Sequence, residues 1–344
     1  MLSRIKNNID KNLETFIQRI DKLYSISKIS PLLFRCIKDF VLRDGKRVRP
    51  ILFVIGYLGY AKKVAANLYT SALSIELLHD FMLVHDDIID KSATRRGKSS
   101  MHELLNKYLK DYKNIKFSGQ DLSIVVGDVM YATAINAFLS INENMERKEK
   151  ALKKFIEAAI HTGSGEFIEL LIGATTIEKV TKQDIDKIYD YKTARYTFST
   201  PLATGAILAG AEESEVNNLF KFGIYLGRAF QIQDDILGMF GDEKKIGKST
   251  LSDLQEAKKT ILIWYAFKNS DTKNKKIIKR TLSKGKVTNA DLLKMRRVIA
   301  ESGALEHARK EIKRLKKLAL NLLCTSKINP QYKNTLINYS NSVV

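Results

Sequence analysis

The sequence predicts an all-α protein, a single domain of ten or more helices. Three observations carry that reading. Only four prolines (Pro31, Pro50, Pro201, Pro330) interrupt 344 residues. Long stretches place apolar residues three and four apart, the spacing that gives a helix one buried face. No alternating strand pattern recurs, and the dipeptides that close hairpins are scarce.

The elements follow in order. Ile5, Ile9, Leu13, Ile17 and Ile20 form one stripe of an N-terminal helix. In "DGKRVRPIL", Gly45 reads as a turn and Pro50 as the first position of the next helix. "ELLHDFMLVHDDIID" (76–90) is apolar enough to be a buried helix, yet it carries three carboxylates within five residues. "VNNLFKFGIYLGRAFQIQDDIL" (216–237) repeats the combination: a long apolar helix ending in Asp-Asp. The last third is basic and amphipathic, as in "KNKKIIKRTLSKGK" and "EHARKEIKRLKKLAL". No linker, low-complexity tract or short repeat divides the chain, so residues 1–344 read as one domain. Its motif-bearing core is about 40–265 and its basic helical part 266–344.

Composition limits the function classes. Lys and Arg number 58 against 38 Asp and Glu, a formal charge of +20. Spread along the chain, these lysines read mainly as solvated faces, and no nucleic-acid module is present. The basic stretch from Lys273 to Lys317 offers a surface for peripheral contact with an anionic membrane. No run approaches the ~18 apolar residues of a membrane span, and the N-terminus lacks the apolar core of a signal peptide. Cys36 and Cys324 are far apart with no metal-type spacing, which points to a reducing, cytoplasmic setting.

The chemistry lies in the acidic clusters. Residues four apart on a helix share a face, so Asp86 and Asp90 project together, with His79 and Met82 on the same stripe. Two adjacent anions destabilise a helix unless a cation takes up their field. A lone Asp-Asp is usually a cap or a surface ion pair. Two of them on apolar helices, Asp86–Asp87 and Asp234–Asp235, each with basic residues downstream, point instead to Mg²⁺ shared with phosphate oxygens. The cations are Lys46 and Arg49 at a helix start, Arg95 and Arg96, Lys192, Lys248 and Lys258. Together they suggest two polyphosphate-sized anions, one bound through metals and one through side chains.

In order and spacing, "GKRVRP", "ELLHDFMLVHDDIID", "RRG", Gly127-Asp128, "YKTA", "FQIQDDILGMFGD", "GKST" and "EAKKT" resemble the trans-isoprenyl diphosphate synthases, the polyprenyl synthetase family, and most closely archaeal short-chain farnesyl and geranylgeranyl diphosphate synthases. The resemblance implies an antiparallel helix bundle around a deep central cavity, a cytoplasmic homodimer, and three Mg²⁺ per active site. It implies that Asp86, Asp90 and Asp234 are metal ligands, with Asp87 and Asp235 beside them. Lys46, Arg49, His79 and Arg96 match positions that bind isopentenyl diphosphate. Arg95, Lys192, Lys248 and Lys258 match those that hold the allylic diphosphate, and Thr193 and Gln231 match polar groups near the reacting carbon.

Chain length is the remaining inference. A growing prenyl tail should run toward residues one turn before Asp86, about 6–7.5 Å along the helix. Met82 shares the Asp face. The resemblance implies that an aromatic residue at Phe81 stops growth at geranylgeranyl length, with farnesyl diphosphate as second product. The sequence departs from the family pattern at Gly238, where many members carry a further Asp, leaving Asp242 as a nearby candidate acting through water. It departs again at Asp44 and Ala257, where glycine is usual. The competing readings are a class I terpene cyclase, which needs no isopentenyl diphosphate site, a regulatory subunit that has lost its Asp motifs, and a basic nucleic-acid binder.

Overall fold

The computed structural model describes residues 1–241 and 250–343, and these are almost entirely helical. The chain divides into two compact units, Met1–Phe155 with Thr204–Ala211, and Ile156–Ala203 with Glu212–Val344.

The first unit contains α1 (Leu2–Tyr24), α2 (Ile26–Ile29), α3 (Pro31–Val41), α4 (Val48–Leu58), α5 (Leu68–Ile89), α6 (Met101–Leu109) and α7 (Gly119–Leu139). The five isoleucine and leucine positions expected on α1 are all buried, with Phe16 added between them. Helix α4 begins at Val48, so Pro50 is its third residue rather than its first. Helix α7 packs along α5. It is the one described helix long and apolar enough to cross a membrane by length and composition, although no such run was expected. It turns one face inward, burying Val126, Met130, Ala134, Ala137 and Phe138, and leaves Ile124, Val125 and Leu139 exposed. Gly127 permits the close approach: a Cβ there would lie 2.4 Å from His85 Nε2.

A short hairpin, β1 (Thr94–Arg95) and β2 (Lys98–Ser99), breaks the all-helical pattern. Its two turn residues, Arg96 and Gly97, have φ of +52° and +73°, the pair of positive angles that a tight two-residue hairpin needs. The 204–211 segment joins this unit through Gly205, where a Cβ would meet the Phe53 carbonyl oxygen at 2.1 Å.

The second unit holds the part of α8 (Met145–Ala174) from residue 156, α9 (Lys182–Ile188), a π-helix (Tyr189–Ser199), most of the first turn of α10 (Thr200–Ala209), and α11 (Glu213–Phe240). Beyond these come α12 (Ser252–Gln255), α13 (Ile261–Asn269), α14 (Thr272–Leu282), α15 (Asn289–Glu301), α16 (Ala304–Thr325) and α17 (Pro330–Val343). Helix α11 lies against the π-helix through Gly223 and Gly227, where added Cβ atoms would meet Ser199 Cα at 2.4 Å and Ala194 Cα at 2.5 Å. Its core runs from Ile177 through Ile232, Ile236, Leu262 and Met295 to Leu315.

Candidate active site

The first unit builds the first acidic motif and its arginines. Asp86 and Asp90 stand half-buried at the end of α5, offering carboxylate oxygens within 4.8 Å of one another. Hard, partly exposed oxygens at that spacing suit Mg²⁺, which keeps waters and substrate oxygens in its sphere. Asp87 points the other way and is fully buried. Arg95 donates to it from Nε at 2.8 Å and again from Nη2, and lies 3.7 Å from Asp86. Burial pushes the Asp87 carboxyl up from its ordinary range despite that partner. The hairpin itself is held from behind, where Arg43 Nη1 donates to the Arg95 carbonyl.

One turn earlier on α5 a second, cationic cluster forms. The Gly45 turn approaches Arg96 so closely that a Cβ at 45 would lie 3.6 Å from its Cζ. Lys46 follows this turn and is exposed, and Arg49 is half-buried on α4. Arg47, between them, is structural: it donates to Asp10 (2.9 Å), Glu76 (2.8 Å) and the carbonyls of Val41 and Arg43. Desolvation first, then Arg49 and Arg96, push the His79 imidazole well below its ordinary range, so it is neutral here. Arg49 and Arg96 thus lie close to His79 on one unit, while Lys46 is exposed on the turn before α4. Phe81 packs on His85 (ring centroids 4.7 Å apart) and on Tyr131 of α7 (5.3 Å).

The second unit carries the remaining chemistry. Lys192 lies 2.6 Å from Glu166 and is paired with Glu169 as well. Helix α8 comes within reach because position 165 is glycine; a Cβ there would lie 2.5 Å from the Lys192 nitrogen. Thr193 Oγ1 donates to Gln231 Oε1 (2.7 Å), and Gln231 Nε2 donates to Asp235 Oδ1 (3.0 Å). Tyr189 donates its hydroxyl proton to Asp235 Oδ2 and accepts from the Ile261 amide (3.0 Å). Asp235 is buried, which raises its carboxyl to about 8, whereas Asp234 is half-buried. The two carboxylates of this motif thus differ in their surroundings, like those of the first.

The space left by the absent side chain of Gly238 is taken by another carboxylate. A Cβ at 238 would lie 2.4 Å from Asp253 Oδ2. Asp253 stands 3.8 Å from Lys258, which also pairs with Glu256 (2.6 Å). Ala257, where glycine is usual in the family, has φ of +53°. Lys248 and Asp242 lie outside the described residues. Sequence reasoning missed Glu166, Glu169, Tyr189 and Asp253.

The family described as Polyprenyl synthetase matches residues 30–299. The chain belongs to that family. A short chain isoprenyl diphosphate synthase of Methanocaldococcus jannaschii is 31% identical over 84% of this chain and 79% of the relative. A geranylgeranyl diphosphate synthase of Saccharolobus solfataricus is 30% identical over 93% and 89%. The crystal structure of a Corynebacterium glutamicum geranylgeranyl pyrophosphate synthase, complexed with isoprenyl diphosphate and magnesium, superposes with a TM-score of 0.90 at 26% identity, covering 100% of this chain and 99% of the other. As a polyprenyl synthetase the chain is a prenyltransferase of a magnesium-dependent family, and its all-α fold is the family's.

Proposed function

We propose that the enzyme condenses isopentenyl diphosphate with the allylic primers dimethylallyl, geranyl and farnesyl diphosphate, making geranylgeranyl diphosphate as main product and farnesyl diphosphate second. The observation that supports this is Arg49 and Arg96 beside His79, a cationic set distinct from the carboxylates of Asp86 and Asp90, with Lys46 proposed to join it from the adjoining turn. A cyclase, with one diphosphate to bind, has no use for it.

Asp86, Asp90 and Asp234 would hold Mg²⁺, three ions in the family's arrangement, with Asp253 the nearest carboxylate to the gap at Gly238. When bound, Mg²⁺ supplies Lewis-acid neutralisation of the charge growing on the departing diphosphate. Arg95, Lys192 and Lys258 would add a cationic clamp to the same group, with Lys248 assigned to it from the sequence alone. Asp87 and Asp235 act differently in this reading, Asp87 fixing Arg95 and Asp235 fixing Gln231.

The allylic C–O bond breaks, leaving diphosphate and a delocalised carbocation. The isopentenyl double bond attacks C1, and the proton released from C2 passes to the diphosphate. Thr193 and Gln231 present oriented dipoles beside the cation, and apolar side chains exclude water. Phe81, clasped between His85 and Tyr131, sets the limit of tail growth.

The enzyme works as a cytoplasmic homodimer in this reading, within a single catalytic domain. Ile160, Phe167, Leu170 and Leu171 form an exposed apolar stripe on α8, 50–65% exposed, which a second copy would cover. Phe167→Asp with Leu171→Asp should yield monomers by light scattering.

The decisive assay supplies radiolabelled isopentenyl diphosphate, Mg²⁺ and each primer, and resolves products by length. No incorporation with any primer, or hydrocarbon released from an allylic diphosphate alone, would overturn the reading.

A further inference from the structure

We infer that Asp80 is a positioning residue for substrate capture, holding the Arg96 guanidinium so that one edge of it stays free for the isopentenyl diphosphate. This rests on the function proposed above.

Asp80 lies on α5, nearly two turns before Asp86, and is 0% exposed. Neither of its carboxylate oxygens accepts a hydrogen bond among the described residues. Its one close cation is Arg96, with Nη2 at 3.1 Å from Oδ1. A buried carboxylate so poorly satisfied is costly and calls for a reason. Packing does not supply one. Glu76, the preceding acid on the same face, is accounted for by Arg47 at 2.8 Å and lies 3.7 Å from Arg96. That pair ties the GKR turn to α5 without Asp80.

The reason lies in what Arg96 has left to give. Its backbone is fixed at φ +52° by the tight hairpin turn, and the Gly45 turn flanks its guanidinium at Cζ and Nη2. Asp80 and Glu76 lie against that same Nη2. Nη1 is buried and has no hydrogen-bond partner among the described residues. It is a preordered, desolvated donor close to Arg49 and His79. A diphosphate oxygen arriving there gains a charge-assisted bond without first having to order the side chain. Without Asp80, Arg96 would turn toward Glu76 and compete with Arg47.

A negative group near an anion site could also act by repulsion alone, and the two roles predict opposite signs. Initial rates for wild type, Asp80→Asn and Asp80→Ala, measured at about pH 8 so that the wild-type Asp80 is ionised, separate them. Positioning predicts a rise in KM for isopentenyl diphosphate of about threefold or more in Asp80→Asn, where a neutral acceptor remains. In Asp80→Ala the rise should be about tenfold or more, with KM for the allylic primer within about twofold of wild type in both. An unchanged or lower isopentenyl KM in Asp80→Asn, which is isosteric and keeps the fold, overturns the inference. So do two KM values that rise in parallel. Because wild type runs alongside, an active wild type with an indifferent Asp80→Asn refutes this inference alone. A wild type that consumes no isopentenyl diphosphate removes the parent function and the inference with it.

Discussion

Replacing Tyr189 with Phe removes one oxygen and tests how Gln231 is oriented. That hydroxyl, on a side chain only 4% exposed, accepts from the Ile261 amide at 3.0 Å and donates to Asp235. Its loss orphans a backbone N–H at the first residue of α13 and one oxygen of a buried carboxylate. Each orphan costs about 1–3 kcal/mol, so with partial relaxation the fold should lose roughly 2–4 kcal/mol. In a protein of this size that lowers Tm by roughly 3–6 °C.

The functional effect runs along the same contacts. With one bond gone, Asp235 holds Gln231 Nε2 less firmly, and the Gln231 carbonyl no longer fixes the Thr193 hydroxyl. Neither group anchors a diphosphate in the proposed mechanism, so kcat should fall about tenfold while both KM values stay within about twofold. Thermal unfolding and steady-state rates with both substrates varied provide the check. A variant with wild-type Tm and kcat would show that the relay from α13 to Thr193 carries no load. A raised KM at constant kcat would place it in binding instead.

Three further outcomes can be checked. Phe81→Ala should shift product length upward by at least one isoprene unit if Phe81, packed on His85 and Tyr131, limits tail growth as proposed; an unchanged product profile by chromatography would remove Phe81 from chain-length control. Ala257→Gly should stabilise the fold by about 0.5–1 kcal/mol, since φ of +53° strains alanine and suits glycine; chemical denaturation decides, and a loss of stability refutes it. Burial raises the Asp80 carboxyl to about 7, an effect larger than the opposing pull of Arg96, Arg47 and Arg49, with Glu76 reinforcing it. A raised acid contributes stability that is present below its unfolded pKa and lost as pH climbs through the folded one. The difference in Tm, wild type minus Asp80→Asn, should therefore shrink from about pH 5 to about pH 8. A growing difference would mean that the ion pair with Arg96 outweighs desolvation.

The parts legible in the sequence were those whose information is local. The stripe on α1 and the long apolar run of α11 follow from helical period alone, and both are helices with that face buried. The shared face of Asp86 and Asp90 is likewise a matter of counting four residues, and Asp87, off that face, is the one that turns inward. The resemblance pointed to Lys46, Arg49, His79 and Arg96 as one set, and of these Arg49 and Arg96 lie close to His79.

What stayed hidden depends on pairing between distant segments. Nothing near Gly238 shows that Asp253 would fill its missing volume, or that Gly165 brings Glu166 and Glu169 to Lys192. Strands of two residues are too short to alternate, so the hairpin that presents Arg95 and Arg96 left no periodic trace. The π-helix is also silent, because its apolar spacing over eleven residues is indistinguishable from that of an ordinary helix.

That wider coil makes the 189–199 stretch sensitive to length in a way its neighbours are not. Tyr189, Lys192 and Thr193 each meet a separate partner, Asp235, the α8 glutamates and Gln231. Removing a single residue there would let the stretch relax to the tighter α-helical winding, rotating later side chains against those before them. Evolution can exchange residues along this segment, but insertions and deletions should be confined to the loops on either side.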